Sequence, residues 1–145
     1  MKKLLKSMLV FSLLAAVCVA FAGCGKKDDK KKDENGSIVG SKYFESGSYN
    51  ETIEAVLDGD GNASKFIITI IPDDAEKVET MKSLVQTIAD ESESSNLNVE
   101  DNKIILEMSA EDFLSEEGLT FEDGKISKDQ VKELFESNGF TVEEK

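Results

Sequence analysis

The stretch TIEAVLDGDGNASKFIITII, residues 52–71, decides the fold because it holds two strand-like runs on either side of a polar loop. In the second run, FIITII at residues 66–71, apolar side chains occupy both odd and even positions. The glycines and aspartates between the runs supply the backbone freedom of a tight turn. The pattern therefore predicts a β-hairpin. Its second strand lies inside a sheet, either covered on both faces or only partly wet on one.

A helix is predicted directly after this hairpin, within residues 72–92. Its apolar residues recur at steps of three and four, which gives one buried stripe: Val78, Met81, Leu84, Val85 and Ile88. Asp73 and Glu76 have the spacing of a capping box, and Asp74 adds negative charge at the positive end of the helix dipole. Helix initiation is enough to explain these acids, so we assign them no catalytic role.

The second half of the chain predicts more strands and two shorter helices. Residues 96–109 predict a second hairpin or a single broken strand. Ser109 is expected to cap a short helix that ends at Gly118. Ser127 and Gln130 have capping-box spacing at the start of the last helix.

The remaining signals complete a fold class. The Asp-Gly pair at residues 123–124 predicts a tight turn, and a short final strand is expected after Gly139. Strands and helices in this order predict an α+β domain, with a small antiparallel sheet and two to three helices packed on one face.

The N-terminal segment predicts export. Lys2, Lys3 and Lys6 precede an apolar run of residues 8–23, which is shorter than the roughly 20 residues that a bilayer-spanning helix needs. This is the pattern of a secretory signal peptide, residues 1–23. Its end, FAGC, resembles the bacterial lipobox, in which a cysteine after small residues receives the lipid and becomes the new N-terminus. Cys24 is therefore predicted to carry the lipid anchor, for example palmitate, on the extracytoplasmic face of the cell membrane.

The segment after Cys24 predicts a tether. Residues 24–40 are rich in lysine, acids and glycine and hold almost nothing apolar, so they cannot offset their chain entropy by burial. We expect a disordered, charged tether over residues 24–40 and a single α+β domain over residues 41–145.

The composition excludes several classes of function. The chain has 30 acids against 17 lysines, with no arginine and no histidine, and its net charge is −13. Such a surface repels phosphate backbones, which excludes nucleic acid as a partner. Histidine is the usual base near neutral pH and the commonest zinc ligand, so its absence argues against an enzyme. If Cys18 leaves with the signal and Cys24 is lipidated, the domain has no free thiol. No cofactor is predicted.

One loop has the beginning of a metal site. Asp58, Asp60 and Asn62 occupy the first, third and fifth places of an EF-hand-like calcium loop, but Ala63 and Thr69 stand where its glycine and glutamate are needed. A polar hairpin turn is the alternative interpretation.

Two acidic clusters predict solvated helix ends: Glu91 with Glu93, and Glu116 with Glu117. Acid–base catalysis needs two carboxylates in contrasting environments within a cleft, and nothing in their spacing indicates one.

The chain resembles the YehR-like small bacterial lipoproteins, a family without an assigned activity. The similarity lies in the lipobox and charged tether, the first strand pair with its helix, and above all the tail ISKDQVKELFESNGFTVEEK, residues 126–145. It implies architecture and location only.

The sequence therefore favours a lipid-anchored, non-enzymatic domain that binds a small ligand or an envelope protein. The alternatives are an envelope hydrolase that uses carboxylates and a weak calcium-responsive adhesion or scaffold element.

Overall fold

Six strands and three α-helices form the part of the chain that the computed structural model describes, residues 36–119 and 125–145. In chain order they are β1 (Ser37–Phe44), β2 (Tyr49–Leu57), β3 (Ala63–Pro72), α1 (Val78–Ala89), β4 (Asn96–Glu100), β5 (Lys103–Ser109), α2 (Ala110–Glu116), α3 (Lys128–Ser137) and β6 (Thr141–Glu144). The strands make one antiparallel sheet in the order β4-β5-β3-β2-β1-β6. The predicted α+β class is confirmed.

The β2–β3 hairpin lies at the centre of this sheet, as predicted. Its register pairs Ile53 with Ile68 and Ala55 with Phe66, so these four side chains share one face. That face is the core: the Phe66 ring stacks on Phe113 of α2, with the ring centroids 3.9 Å apart. The other face of β3, which includes Ile67, is half-buried. Of the two alternatives for this strand, the one with a partly solvent-exposed face is therefore confirmed.

All three helices cover the same face of the sheet. Helix α1 packs against β4 and β5, α2 against β3 and β5, and α3 against β1 and β6. Their apolar stripes meet the core face, as the buried residues Val85, Phe113 and Leu134 show. The predicted arrangement of helices on one side of an antiparallel sheet is confirmed.

Side-chain caps begin two of the helices as the sequence predicts. Ser109 accepts a hydrogen bond from the Asp112 N–H, and Ser127 forms the full reciprocal capping box with Gln130. Each cap satisfies backbone N–H groups that the first helical turn leaves without partners.

The capping box predicted at Asp73 and Glu76 is wrong. A 3-10 turn, Ala75–Lys77, precedes α1, and Asp74 caps that turn by accepting from the Glu76 N–H at 2.9 Å. Asp73 instead accepts a hydrogen bond from the Tyr43 hydroxyl at 2.6 Å. The tighter opening turn moves the cap by one residue.

The predicted boundary between tether and domain is wrong for residues 37–40. Strand β1 begins at Ser37, all four residues are buried, and Ile38 has no exposed surface. Residues 37–40 resemble a linker because small residues surround only two large apolar ones. Pairing decides their structure, since β1 lies between β2 and β6.

Gly40 allows α3 to lie close against β1. A Cβ atom at this position would stand 2.8 Å from Cδ2 of Phe135, a buried residue of α3. Glycine in a strand marks such a close approach.

The last strand is also held by charge. Glu144 of β6 accepts a hydrogen bond from Lys132 of α3 at 2.7 Å and pairs with Lys128 at 2.7 Å. These two lysines lower the pKa of Glu144 to about 2.

Several predictions fall on residues that the structure does not describe. These are the signal peptide at 1–23, Cys24, the tether up to residue 35 and the tight turn at 123–124. Within the described ranges, no helix has the length and apolar character needed to cross a membrane.

We predict that Gly40→Ala lowers the free energy of unfolding by about 1–3 kcal/mol, because the added methyl group overpacks the contact with Phe135. Urea denaturation of the full-length chain measures this change. Gly59→Ala is the matched control: its Cβ would have no neighbour within 4 Å, so it should be neutral or raise stability by up to about 1 kcal/mol. Equal stability of the two variants would contradict the close approach.

Candidate functional site

A pocket opens between the core face of the sheet and helices α1 and α2. Strands β3 and β5 and both helices supply its apolar lining: Ile68, Ile70, Val85, Ile88, Leu106, Met108 and Phe113. Three glutamates complete the lining: Glu51, Glu116 and Glu117. The free volume of this cavity is about 20 Å³, which is room for one or two water molecules. We call it the carboxyl pocket.

Glu51 is placed in the carboxyl pocket by the two-residue period of β2. It takes the inward position between Tyr49 and Ile53, and only 3 % of its surface is exposed. Its Oε2 atom has no hydrogen-bond partner within the described ranges. Burial raises the pKa of Glu51 from 4.5 to about 8, and the positive charge of Lys42 opposes this rise only in part.

Lys42 of β1 is paired with Glu51 of β2, but its ammonium group contacts the C-terminal end of α3. Its Nζ donates a hydrogen bond to the Asn138 carbonyl at 2.7 Å and lies 4.9 Å from the centre of the Phe44 ring. The ammonium group thus satisfies a carbonyl at a helix C-terminus, where cations are favoured.

Glu117 reaches the carboxyl pocket from the C-terminal cap of α2. Gly118 follows it with a φ of +66° and ends the helix, as the sequence predicts. Both carboxyl oxygens of Glu117 are buried and have no hydrogen-bond partner among the residues described. Burial, followed by the charges of Glu51 and Glu116, raises the pKa of Glu117 to about 9.

The two buried carboxyl groups are therefore protonated near neutral pH. An ionised carboxylate in an apolar site loses its hydration, and a second one beside it adds repulsion. In the protonated form each group offers one O–H donor and retains acceptor oxygens. These two carboxyl groups are thus uncharged when the carboxyl pocket is empty, yet three of their oxygens have no hydrogen-bond partner within the described ranges.

The sequence prediction for Glu117 is wrong, because its carboxyl group is buried and not solvated. The other three members of the two acidic clusters, Glu91, Glu93 and Glu116, are exposed as predicted. Sequence analysis also missed Glu51. The signal was present in the alternation of β2, where a glutamate takes an inward place among apolar residues.

The candidate calcium residues form the turn between β2 and β3. Oδ1 of Asp58 accepts hydrogen bonds from the backbone N–H groups of Asp60 and Asn62, each at 2.9 Å. The backbone closes the same loop, since the Asp58 N–H donates to the Asn62 carbonyl at 2.8 Å. Asp58 thus has a structural role in the turn, which fits the alternative interpretation. Across residues 36–119 and 125–145, no cluster of three or more histidine, cysteine, aspartate or glutamate side chains is arranged to hold a metal. Calcium binding here stays a prediction.

We predict that the stability of the protein falls as the pH rises from about 4.5 to about 8, because folded Glu51 keeps a proton that the unfolded chain releases. Glu51→Gln mimics the protonated form and lacks this dependence. Its stability relative to wild type should therefore rise by about 1.4 kcal/mol per pH unit in that window. Urea denaturation of the full-length chain at several pH values measures the difference.

The control for this prediction is Thr52→Val, which lies on the same strand but on the half-buried outer face. It changes no ionisable group, so its stability relative to wild type should not depend on pH. Parallel curves for wild type and Glu51→Gln would show that the Glu51 carboxyl is not protonated in the folded state. The groups that act on this carboxyl are Lys42 and Glu117.

Comparison of the chain with known protein families, curated proteins and solved structures finds no match. The resemblance to the YehR-like lipoproteins stays a prediction from the sequence.

Proposed function

We propose that this chain is a lipid-anchored, extracytoplasmic, non-enzymatic domain that binds a small, partly apolar ligand in the carboxyl pocket. One observation carries the proposal. Glu51, on the central hairpin, is almost fully buried, lines an apolar cavity, and has an oxygen without a hydrogen-bond partner within the described ranges.

Unsatisfied buried polar groups are costly, which supports a binding role. A buried polar atom without a partner costs about 1–3 kcal/mol, and most such atoms in folded proteins find a partner. The carboxyl pocket holds three of these oxygens, one on Glu51 and two on Glu117. A ligand that supplies hydrogen bonds to them recovers this free energy. Apolar walls with a few convergent polar groups are typical of small-molecule sites.

The location rests on the N-terminal sequence. The lipobox-like sequence before Cys24 supports an attachment point at this residue, and the first strand begins at Ser37. Residues 25–36 can span at most about 40 Å, so the domain would work close to the membrane surface. Its excess of acids keeps it from lying on anionic lipid.

A hydrolase that uses carboxylates is the second candidate, and it gains one observation: two carboxyl groups do share a pocket. General acid catalysis by such a pair needs one member to stay ionised in a polar environment. Here the same apolar walls surround both groups, and burial raises the pKa of each. The matching environments of the two carboxyl groups therefore favour a binding function over a hydrolase.

We predict that Cys24→Ser releases the protein from the membrane fraction and abolishes palmitate labelling, because this thiol is the proposed attachment point. Fractionation of cells that express the full-length chain measures both. Cys18→Ser is the matched control and should change neither. Retention of membrane association and labelling in the Cys24 variant would contradict the anchor.

We predict that at least one probe from a set of butanol, butyrate and butylamine shifts the methyl NMR signals of Met108 and Ile68 saturably. The full-length chain in zwitterionic nanodiscs is the sample. Val85→Trp fills the carboxyl pocket from α1 and should abolish the shifts, whereas Val56→Leu, on the outer face of β2, should not. If none of the three probes shifted these methyl groups, the binding function would be wrong.

A further inference from the structure

We propose that the ligand of the carboxyl pocket carries a primary ammonium group on a short aliphatic chain. This inference rests on the proposed function, because it names the chemical class of ligand for the same pocket. The hydrogen-bonding capacity, the charge and the apolar lining of the pocket support this ligand class.

The hydrogen-bonding capacity matches a primary ammonium. Oε2 of Glu51 and both carboxyl oxygens of Glu117 lack partners within the described ranges, so three buried oxygens can accept a hydrogen bond from a ligand. A primary ammonium has three N–H donors and no acceptor. An alcohol has a single O–H donor and leaves two of these oxygens unsatisfied. Hydrogen bonds between ionised partners are also the stronger kind.

The charge around the carboxyl pocket favours a cation. All three of its polar lining residues are glutamates, and none of the lining residues is basic. Lys42, on the neighbouring strand, donates to the carbonyl of Asn138 at the end of α3. The whole chain carries a net charge of −13, so its field attracts cations and repels anionic ligands.

The lining accommodates an aliphatic chain next to the ammonium group. The unpartnered oxygens are buried, whereas Glu116, which also lines the pocket, is exposed. The free volume has room for one or two water-sized groups, which suits an ammonium but not a bulky head group. The alkyl chain of the proposed ligand would contact the apolar lining, which includes Val85, Ile88 and Leu106.

A divalent metal ion fits this lining poorly. Calcium and magnesium take six or more oxygen ligands, whether from protein or water. The carboxyl pocket supplies only its glutamates, and the rest of its wall is aliphatic or aromatic. The apolar wall offers a metal ion no ligands, but it can contact an alkyl chain.

Binding of an ammonium must release protons. The empty carboxyl pocket holds its two carboxyl groups protonated near neutral pH, because burial raises the pKa of Glu51 to about 8 and that of Glu117 to about 9. When R–NH₃⁺ enters, a carboxyl O–H breaks, the carboxylate stays as the partner of the ammonium, and the proton passes to the buffer. Affinity should therefore rise about tenfold per pH unit for each proton released. The rise ends near pH 8 to 9, where the carboxyl groups of the empty pocket ionise without a ligand, and the affinity falls above the pKa of the amine, about 10.4 for a lysine-like group.

The test compares n-butylamine with n-butanol, its neutral counterpart of equal length, on the full-length chain in zwitterionic nanodiscs. Methyl NMR titration gives both affinities at about pH 7 and about pH 8. We expect butylamine to bind at least about tenfold more tightly than butanol at the higher pH. Between the two pH values the butylamine affinity should rise about five- to tenfold, depending on which carboxyl group ionises, while that of butanol stays constant.

Variants assign the effect to the buried carboxyl groups. Glu117→Gln should weaken butylamine binding about tenfold and leave butanol within about twofold. Glu111→Gln is the matched control, since it is an exposed glutamate on the same helix that does not line the carboxyl pocket, and should change the butylamine affinity by less than about threefold. If Glu117→Gln does not fold, calorimetry of the wild type in two buffers with different ionisation enthalpies counts the released protons directly.

The outcomes separate the two proposals. Equal affinity for butanol and butylamine, or butylamine binding without proton release, would overturn the ammonium inference and leave the binding function standing. Preferred binding of butyrate would do the same. A failure of all three probes would overturn both.

Discussion

The register of the central β2–β3 hairpin is the constraint on which the other features depend. Because side chains alternate along a strand, pairing Ile53 with Ile68 commits every second residue of both strands to the helix-covered face. The same register pairs Glu51 with Ile70 and so carries a carboxyl group into the core. A slip of one residue would expose Phe66 and place Lys65 inside. The apolar majority on this face keeps the register, and Glu51 is buried as a consequence.

Burial of Glu51 and Glu117 lowers the stability of the fold at one place in the core. Core positions next to Ile53 and Ile68 would be filled most favourably by aliphatic side chains. The structure places Glu51 and Glu117 there instead and provides no hydrogen-bond partner within the described ranges for three of their oxygens. Such departures from good packing concentrate at functional sites, where the stability lost in the empty state is recovered by a ligand.

Local signals predicted most of the fold, and long-range pairing decided what they missed. The helix stripe around Val85, the Ser127–Gln130 capping box and the central hairpin all depend on neighbours within a few residues, and all three are confirmed. The strand at residues 37–40 was missed because its second pairing partner, β6, and the helix that packs on it, α3, lie about a hundred residues further along the chain. Its local sequence, with two large apolar residues among small ones, does not distinguish a strand from a linker.

The candidate site was harder to predict than the fold for the same reason. Glu117 follows a helix and precedes a glycine, which is the pattern of an exposed helix end, and only the packing of α2 on β3 and β5 buries it. Glu51 lies in a strand whose alternation is visible, so its inward direction could have been inferred. The meeting of the two side chains could not, because they come from elements 66 positions apart in the sequence. The loop at Asp58, in contrast, had an obvious motif, and there the hydrogen bonds describe a turn.

The pairing of β1 with β6 also has a consequence for the order of folding. Ser37 and Lys145 exchange two backbone hydrogen bonds of 2.9 Å, so the first residue of β1 lies beside the end of β6, which is an edge strand of the sheet. Strand β1 cannot gain its second partner until the last residues of the chain are available. Contacts between such distant segments form late, because closing a long loop costs entropy before any contact compensates for it. During synthesis from the N-terminus, Ile38 and Gly40 therefore lack their pairing with β6 until residues 141–144 have been made.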